Sequence, residues 1–211
     1  MNDLLSDLKR DRLLIIFRGQ SPSQCADLAE GLYEAGVRLF EVTLNSADPL
    51  AGITAVRDRL GSDARVGAGT VLTTEEVGQV ADVGGQFVVS PDIDPRVVER
   101  TKELGMGSVP GALSPTEVVR AVRAGADAVK VFPISSVGAG HIRQLRGPLP
   151  DVPFVATGGV DEALAEACVE AGCVGVGVAA GLLGDPADIE SVVRGARRLA
   201  EATARPGRLR S

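Results

Sequence analysis

Lys130 is one of only three lysines among the 22 basic residues of this 211-residue chain, and it stands inside the apolar run Ala128-Val129-Lys130-Val131-Phe132. On a strand, side chains alternate, so Lys130 shares a face with Ala128 and Phe132. Burying an ammonium is costly, and desolvation lowers its pKa. A lysine that is neutral near pH 7 can attack a carbonyl and form a Schiff base. Glu41 poses the same question in Leu39-Phe40-Glu41-Val42-Thr43, where it shares a face with Leu39 and Thr43. A carboxylate near Lys130 can shuttle protons between water, the carbinolamine and the carbon under attack. The competing account makes the two a structural ion pair, and the two accounts are compatible.

Other polar or glycine-rich positions follow apolar runs. Arg18 comes directly after Leu13-Leu14-Ile15-Ile16-Phe17, and a guanidinium fork there suits a carboxylate or phosphate. Gly67-Ala68-Gly69-Thr70 adds a hydroxyl and leaves room near the backbone, for a ligand or for tight packing. Thr157-Gly158-Gly159 precedes Val160-Asp161, where a helix begins. Backbone N–H groups at such a turn can hold phosphate, although a plain glycine turn has the same sequence. Pro91-Asp92-Ile93-Asp94 reads as a turn and helix cap. With His141 the single histidine, no metal site is expected.

These residues need elements to hold them, and the dominant pattern is alternation. Short β-branched runs at 13–17, 39–43, 65–69, 87–90, 107–110, 128–132, 154–157 and 174–178 are each followed by an amphipathic stretch. Eight parallel strands joined by helical crossovers close most naturally into a (β/α)8 TIM barrel. Ser21-Pro22-Ser23-Gln24, Thr73-Thr74-Glu75-Glu76 and Ser114-Pro115-Thr116-Glu117 read as capping boxes. Asp94-Pro95 and Asp185-Pro186 read as cap-plus-first-turn pairs, and Gly36, Gly125 and Gly172 as helix stops. An open dinucleotide-binding sheet is disfavoured, because Arg18-Gly19-Gln20-Ser21 lacks the glycine fingerprint. We expect residues 1–211 to form a single domain, with a short extra N-terminal helix within 2–11 and a frayed tail at 204–211. In such barrels function sits at the C-terminal ends of the strands, where Arg18, Thr70 and Thr157-Gly158-Gly159 fall.

Apolar residues make up 45% of the chain, enough for a sizeable core, and the net charge of −6 argues against a nucleic-acid partner. The acidic, polar start is unlike a signal peptide, and no apolar run is long enough to cross a membrane. Cys25, Cys168 and Cys173 lack metal-like grouping and read as small core residues. A reducing cytoplasm is the expected compartment.

Over residues 10–185 the chain resembles the class I aldolases for 2-keto-3-deoxy-6-phosphogluconate (KDPG) and related keto acids. The resemblance rests on Leu39-Phe40-Glu41-Val42-Thr43-Leu44, Val66-Gly67-Ala68-Gly69-Thr70-Val71, Val89-Ser90-Pro91, Lys130-Val131-Phe132-Pro133, Gly147-Pro148 and Thr157-Gly158-Gly159-Val160, in this order. It implies a (β/α)8 barrel, a homotrimer and no cofactor. The implied reaction is reversible cleavage of a keto acid to pyruvate and glyceraldehyde 3-phosphate. It makes Lys130 the Schiff-base lysine and Glu41 the general acid/base. Thr70 with Arg18 would hold the pyruvate carboxylate, Gly158 and Gly159 the phosphate, and Phe132 and Pro91 would wall the pocket.

Three features of the match bear on the substrate. Asn45 stands where many family members carry arginine, so Arg18 is expected to substitute; Arg18-Gly19 and Asn45-Ser46 resemble the branch acting on the galactonate epimer (KDPGal). Thr157 resembles the gluconate branch, where its hydroxyl would meet the C4 oxygen. Ala179-Ala180 replaces a Gly-Ser pair and removes a hydroxyl from the expected phosphate site. KDPG is therefore the leading substrate. The galactonate epimer, 4-hydroxy-2-oxoglutarate and a non-phosphorylated keto acid are alternatives. A barrel isomerase or epimerase and a non-catalytic keto-acid-binding protein are the competing classes.

Overall fold

The computed structural model describes residues 3–204. Nine parallel strands run in one sheet: β1 (Leu13–Phe17), β2 (Leu39–Thr43), β3 (Arg65–Gly69), β4 (Phe87–Val89), β5 (Gly107–Val109), β6 (Gly111–Ala112), β7 (Val129–Val131), β8 (Phe154–Thr157) and β9 (Gly175–Ala179). Their spatial order is β5-β4-β3-β2-β1-β9-β8-β7-β6. The strand expected at 107–110 is β5, which stops before Pro110, and the chain re-enters the sheet beyond its expected end as β6. Proline has no N–H to donate, but its carbonyl accepts from Lys130 N at 2.9 Å. On one side Ser90 N donates to Val109 O, and on the other Phe132 N donates to Ala112 O. The interrupted strand thus joins both ends of the sheet, and the barrel is nearly closed.

The crossovers are helical: α1 (Leu4–Asp11), α2 (Pro22–Glu34), α3 (Pro49–Leu60), α4 (Thr74–Asp82), α5 (Pro95–Glu103), α6 (Pro115–Arg123), α7 (Ala139–Arg146), α8 (Glu162–Glu170), α9 (Ala180–Leu183) and α10 (Ile189–Ala204). The three expected capping boxes, on α2, α4 and α6, are all formed. Asp94 caps α5 through Arg96 N. Gly36, Gly125 and Gly172 follow their helices at φ of 99°, 95° and 98°, the left-handed region open to glycine. Asp185-Pro186 departs from expectation. Asp185 Oδ1 accepts from Ala187 N within a turn, and Asp188 accepts from Ser191 N at the start of α10. The expected N-terminal helix is α1. Of the expected frayed tail, Ala204 is the last residue of α10, and the rest lies outside the described residues.

Two apolar layers flank the strands. The outer one, between sheet and helices, takes Leu13, Ile15, Phe17, Phe40 and Val42 with buried Cys25, Cys168 and Cys173. The inner one fills the barrel with Leu14, Leu39, Phe87, Val89, Val109, Ala128 and Val155, and Leu4 and Leu8 of α1 close its lower end. This alternation decides which charges point inward.

Candidate active site

Ile16 pairs with Glu41, Glu41 with Gly67, Thr157 with Gly177, and Lys130 with Val155 in the strand register. The Glu41 carboxyl lies against Gly69, where a Cβ would collide with it, and the Phe87 ring fills the space beside Gly67, 2.6 Å from where its Cβ would be. The room expected for a ligand above these glycines is therefore occupied by the protein's own side chains.

Lys130 is 5% exposed and Glu41 1%. Lys130 Nζ lies 4.7 Å from the centroid of the Phe132 ring, a cation–π geometry when the amine is charged. Among the described residues neither carboxyl oxygen of Glu41 has a hydrogen-bond partner. Burial pushes the Glu41 pKa above the usual carboxylate range, against the smaller opposing pull of Lys130 and Arg18. Burial likewise lowers the Lys130 pKa from its ordinary value; Glu41 opposes that shift and the like charge of Arg18 adds to it. Both groups are thus displaced toward their neutral forms, which for Lys130 is the nucleophilic one.

Above them opens a cavity of about 240 Å³. Seven expected site residues line it: Arg18, Lys130, Phe132, Thr157, Gly158, Gly159 and Ala179. Four do not. Glu41, 1% exposed, lies in the layer of the barrel interior formed by the strand pairs above and is not among the lining residues. Thr70, directly after β3, takes a left-handed conformation at φ 59°, uncommon for a β-branched residue, and stands outside the lining. Pro91 packs its backbone carbonyl against Gly111. Ala180 begins α9 and is buried in the outer core, so only one alanine of the Ala179-Ala180 pair faces the cavity.

Ile16, Gly177 and Leu182 also line the cavity and were not anticipated. Ile16 could have been found from alternation, since it lies two residues from inward-facing Leu14. Leu182, 61% exposed, carries no signal in its sequence surroundings. Gly158 at φ 94° passes beneath Phe132, whose ring would lie 2.9 Å from an added Cβ. The Thr157 methyl sits over Gly177, while its hydroxyl is buried without a hydrogen-bond partner among the described residues.

Larger hollows of about 480 and 310 Å³ lie beside α4 and α5 and around Asp7 and Arg65. Neither is lined by Lys130. His141 is engaged with the Leu113 carbonyl at 2.6 Å. Among the described residues no cluster of three or more His, Cys, Asp or Glu could hold a metal.

A parallel barrel with a buried lysine and carboxyl beneath a cavity at the C-terminal ends of its strands has the layout of a barrel enzyme. Comparison with known proteins narrows the class. Residues 4–191 match the family described as KDPG and KHG aldolase. The chain is 37% identical over 171 residues to 2-dehydro-3-deoxy-6-phosphogalactonate aldolase of Escherichia coli (strain K12), covering 81% of this chain and 83% of that one. It is 36% identical over 161 residues to 2-dehydro-3-deoxy-phosphogluconate aldolase of Treponema pallidum (strain Nichols), covering 76% of each. A solved structure described as "Native KDPGal structure" superposes with a TM-score of 0.86 at 34% identity, covering 90% of this chain and 93% of that one. The chain belongs to the KDPG and KHG aldolase family of class I aldolases, and is a carbon–carbon lyase.

Proposed function

We propose that the protein cleaves 2-keto-3-deoxy-6-phosphogluconate to pyruvate and glyceraldehyde 3-phosphate through an imine on Lys130. The observation that carries this reading is the desolvated Lys130 amine lining the cavity, with the Glu41 carboxyl within electrostatic reach. The neutral amine attacks the C2 carbonyl, and loss of water from the carbinolamine leaves a protonated imine. Removal of the C4 hydroxyl proton breaks the C3–C4 bond. The aldehyde departs, and the bonding pair is held as an enamine instead of a bare carbanion. Glu41, working through a water, takes that proton and returns it to C3, and hydrolysis then releases pyruvate. Arg18 receives the keto-acid carboxylate, with Thr70 assisting from the end of β3. Gly158 and Gly159 take the phosphate on backbone N–H groups beside Ala179, Phe132 walls the pocket together with Pro91, and Thr157 meets the C4 oxygen.

The galactonate epimer is the second reading. The Arg18–Asn45 hydrogen bond supports it, as does the similarity to the E. coli phosphogalactonate aldolase. The whole chain, 1–211, works as one domain in a cytoplasmic homotrimer, on small molecules and without a nucleic-acid or membrane partner. No helix among the described residues is long and apolar enough to cross a membrane.

Borohydride reduction with pyruvate, read by intact mass, tests the imine. A pyruvate-sized adduct on the wild type and none on Lys130→Ala is expected; no adduct on either would point to other barrel chemistry. The ratio of kcat/KM for the two epimers then decides the substrate, and light scattering decides the trimer.

A further inference from the structure

Arg18 is exposed at the end of β1, where a long side chain would ordinarily sample many rotamers and lose that freedom on binding. Here its Nη1 donates to Asn45 Oδ1 at 3.0 Å. Behind this contact Gly19 N donates to Ser46 Oγ at 2.9 Å, and Ser46 Oγ lies 3.0 Å from Thr43 Oγ1. The fully buried Thr43 in turn donates to Phe17 O at 3.3 Å. The loops after β1 and β2 are thus joined by a chain of polar contacts that ends in the sheet. Among the described residues Arg18 makes no ion pair. Its partner is a neutral carboxamide, so its full charge is left for an anion.

We propose that Asn45, next to Ser46 in the loop after β2 that Ser46 and Thr43 tie to β1, is a positioning residue that holds the Arg18 guanidinium at the cavity mouth in the orientation that receives the keto-acid carboxylate. The claim deepens the aldolase reading and rests on it. Pre-setting the fork removes part of the ordering cost of carboxylate binding. A neutral acceptor also keeps the charge of Arg18 directed at Lys130. Two charged groups face that amine, Glu41 from β2 and Arg18 from the end of β1, and they act on it in opposite directions.

The test is a cycle of wild type, Asn45→Ala, Arg18→Ala and the double variant. Each is measured for the pyruvate concentration that half-saturates borohydride trapping and, by calorimetry, for pyruvate affinity. Asn45→Ala should raise the half-saturating concentration about two- to tenfold, the loss of one hydrogen bond, with maximal trapping and melting temperature unchanged. In the Arg18→Ala background it should do nothing further, because the two act as one unit. Asn45→Asp retains the acceptor but neutralises Arg18, so it should move the acid limb of the trapping rate to higher pH. Unchanged pyruvate dependence in Asn45→Ala, or an equal loss with and without Arg18, overturns the positioning role. Failure of the wild type to trap overturns the imine reading instead, and the calorimetric cycle then decides the positioning role alone.

Discussion

The two ends of the barrel interior are built from the same strands and meet opposite standards. At the lower end Leu4 and Leu8 pack into the inner layer, with Leu4 occupying the space beside Gly107. Asp7 is engaged by both Arg10 and Arg65. At the upper end both Glu41 carboxyl oxygens and the Thr157 hydroxyl are buried with no hydrogen-bond partner among the described residues, around a lysine whose pKa burial lowers. Each buried unpaired polar group costs roughly 1–3 kcal/mol, so the satisfied end must support the unsatisfied one. One end contributes stability, and the other holds polar groups ready for a substrate.

The sharpest way to break this division is Lys130→Met, which keeps bulk and removes the amine. Cleavage should fall by about 10⁴-fold or more, as when a nucleophile is removed from a unit that works together, while the melting temperature holds or rises. The pH dependence has a definite sign. The folded-state pKa of Lys130 lies below its ordinary value of 10.5, so the native state binds fewer protons there than the unfolded chain. Its favourable contribution is present above the ordinary lysine value and is lost as pH falls through the folded value. The stability gain of Lys130→Met over wild type should therefore grow as pH is lowered in thermal melts. The acid limb of wild-type kcat/KM should fall below the ordinary lysine range. A variant that retains cleavage would remove Lys130 from the chemistry.

Glu41→Gln keeps the shape of the unsatisfied end and removes its proton carrier. Turnover should drop about 10²- to 10⁴-fold, while pyruvate is still trapped by borohydride, since imine formation needs the amine first. Glu41 titrates in the opposite sense to Lys130. Its folded pKa is raised from 4.5, so its contribution is present below that value and is lost as pH rises through the folded one. Melting curves of Glu41→Gln against wild type should diverge toward alkaline pH. Equal turnover in the two proteins would mean that another group moves the proton.

How much of this was legible in the sequence follows the same division. A charge within an apolar strand stands out, because alternation assigns it a face, and so Lys130 and Glu41 could be read directly. The repeating strands and capped helices were legible for a similar reason, since local chemistry specifies them. Contacts between distant loops were not legible. Gly69 looked like room for a ligand, yet it accommodates Glu41. Ala180 seemed to face the cavity, but the turn into α9 buries it. The break at Pro110 divides a strand whose hydrogen bonds nonetheless continue on both sides. Leu182 reaches the cavity through chain geometry that no local pattern announces.

The lower end is tested by Leu8→Ala. Leu8 is 2% exposed and packs in the inner layer, so its truncation should cost about 2–4 kcal/mol of stability, including the cavity left behind. Denaturant unfolding measures that loss. At temperatures where the protein remains folded, kcat/KM for the cleaved keto acid should stay within a factor of two of wild type. A matching fall in kcat/KM would show that the plug and the site are coupled, and the division between the two ends would fail.

Thr157→Val gives the smallest effect and the finest discrimination. The substitution is close to isosteric. The methyl that packs on Gly177 is retained, and only a hydroxyl with no protein partner is replaced. Stability should therefore be unchanged or slightly higher, because an unpaired buried polar atom disappears. Activity should move the other way if the hydroxyl is held unpartnered for the C4 oxygen of the substrate. The kcat/KM for the gluconate substrate should then fall about tenfold, the range for one lost hydrogen bond, and the galactonate epimer should lose less. Measuring both epimers with both proteins separates the roles. A loss shared equally makes Thr157 a general contact, and no loss at all leaves its hydroxyl without a part in choosing between them.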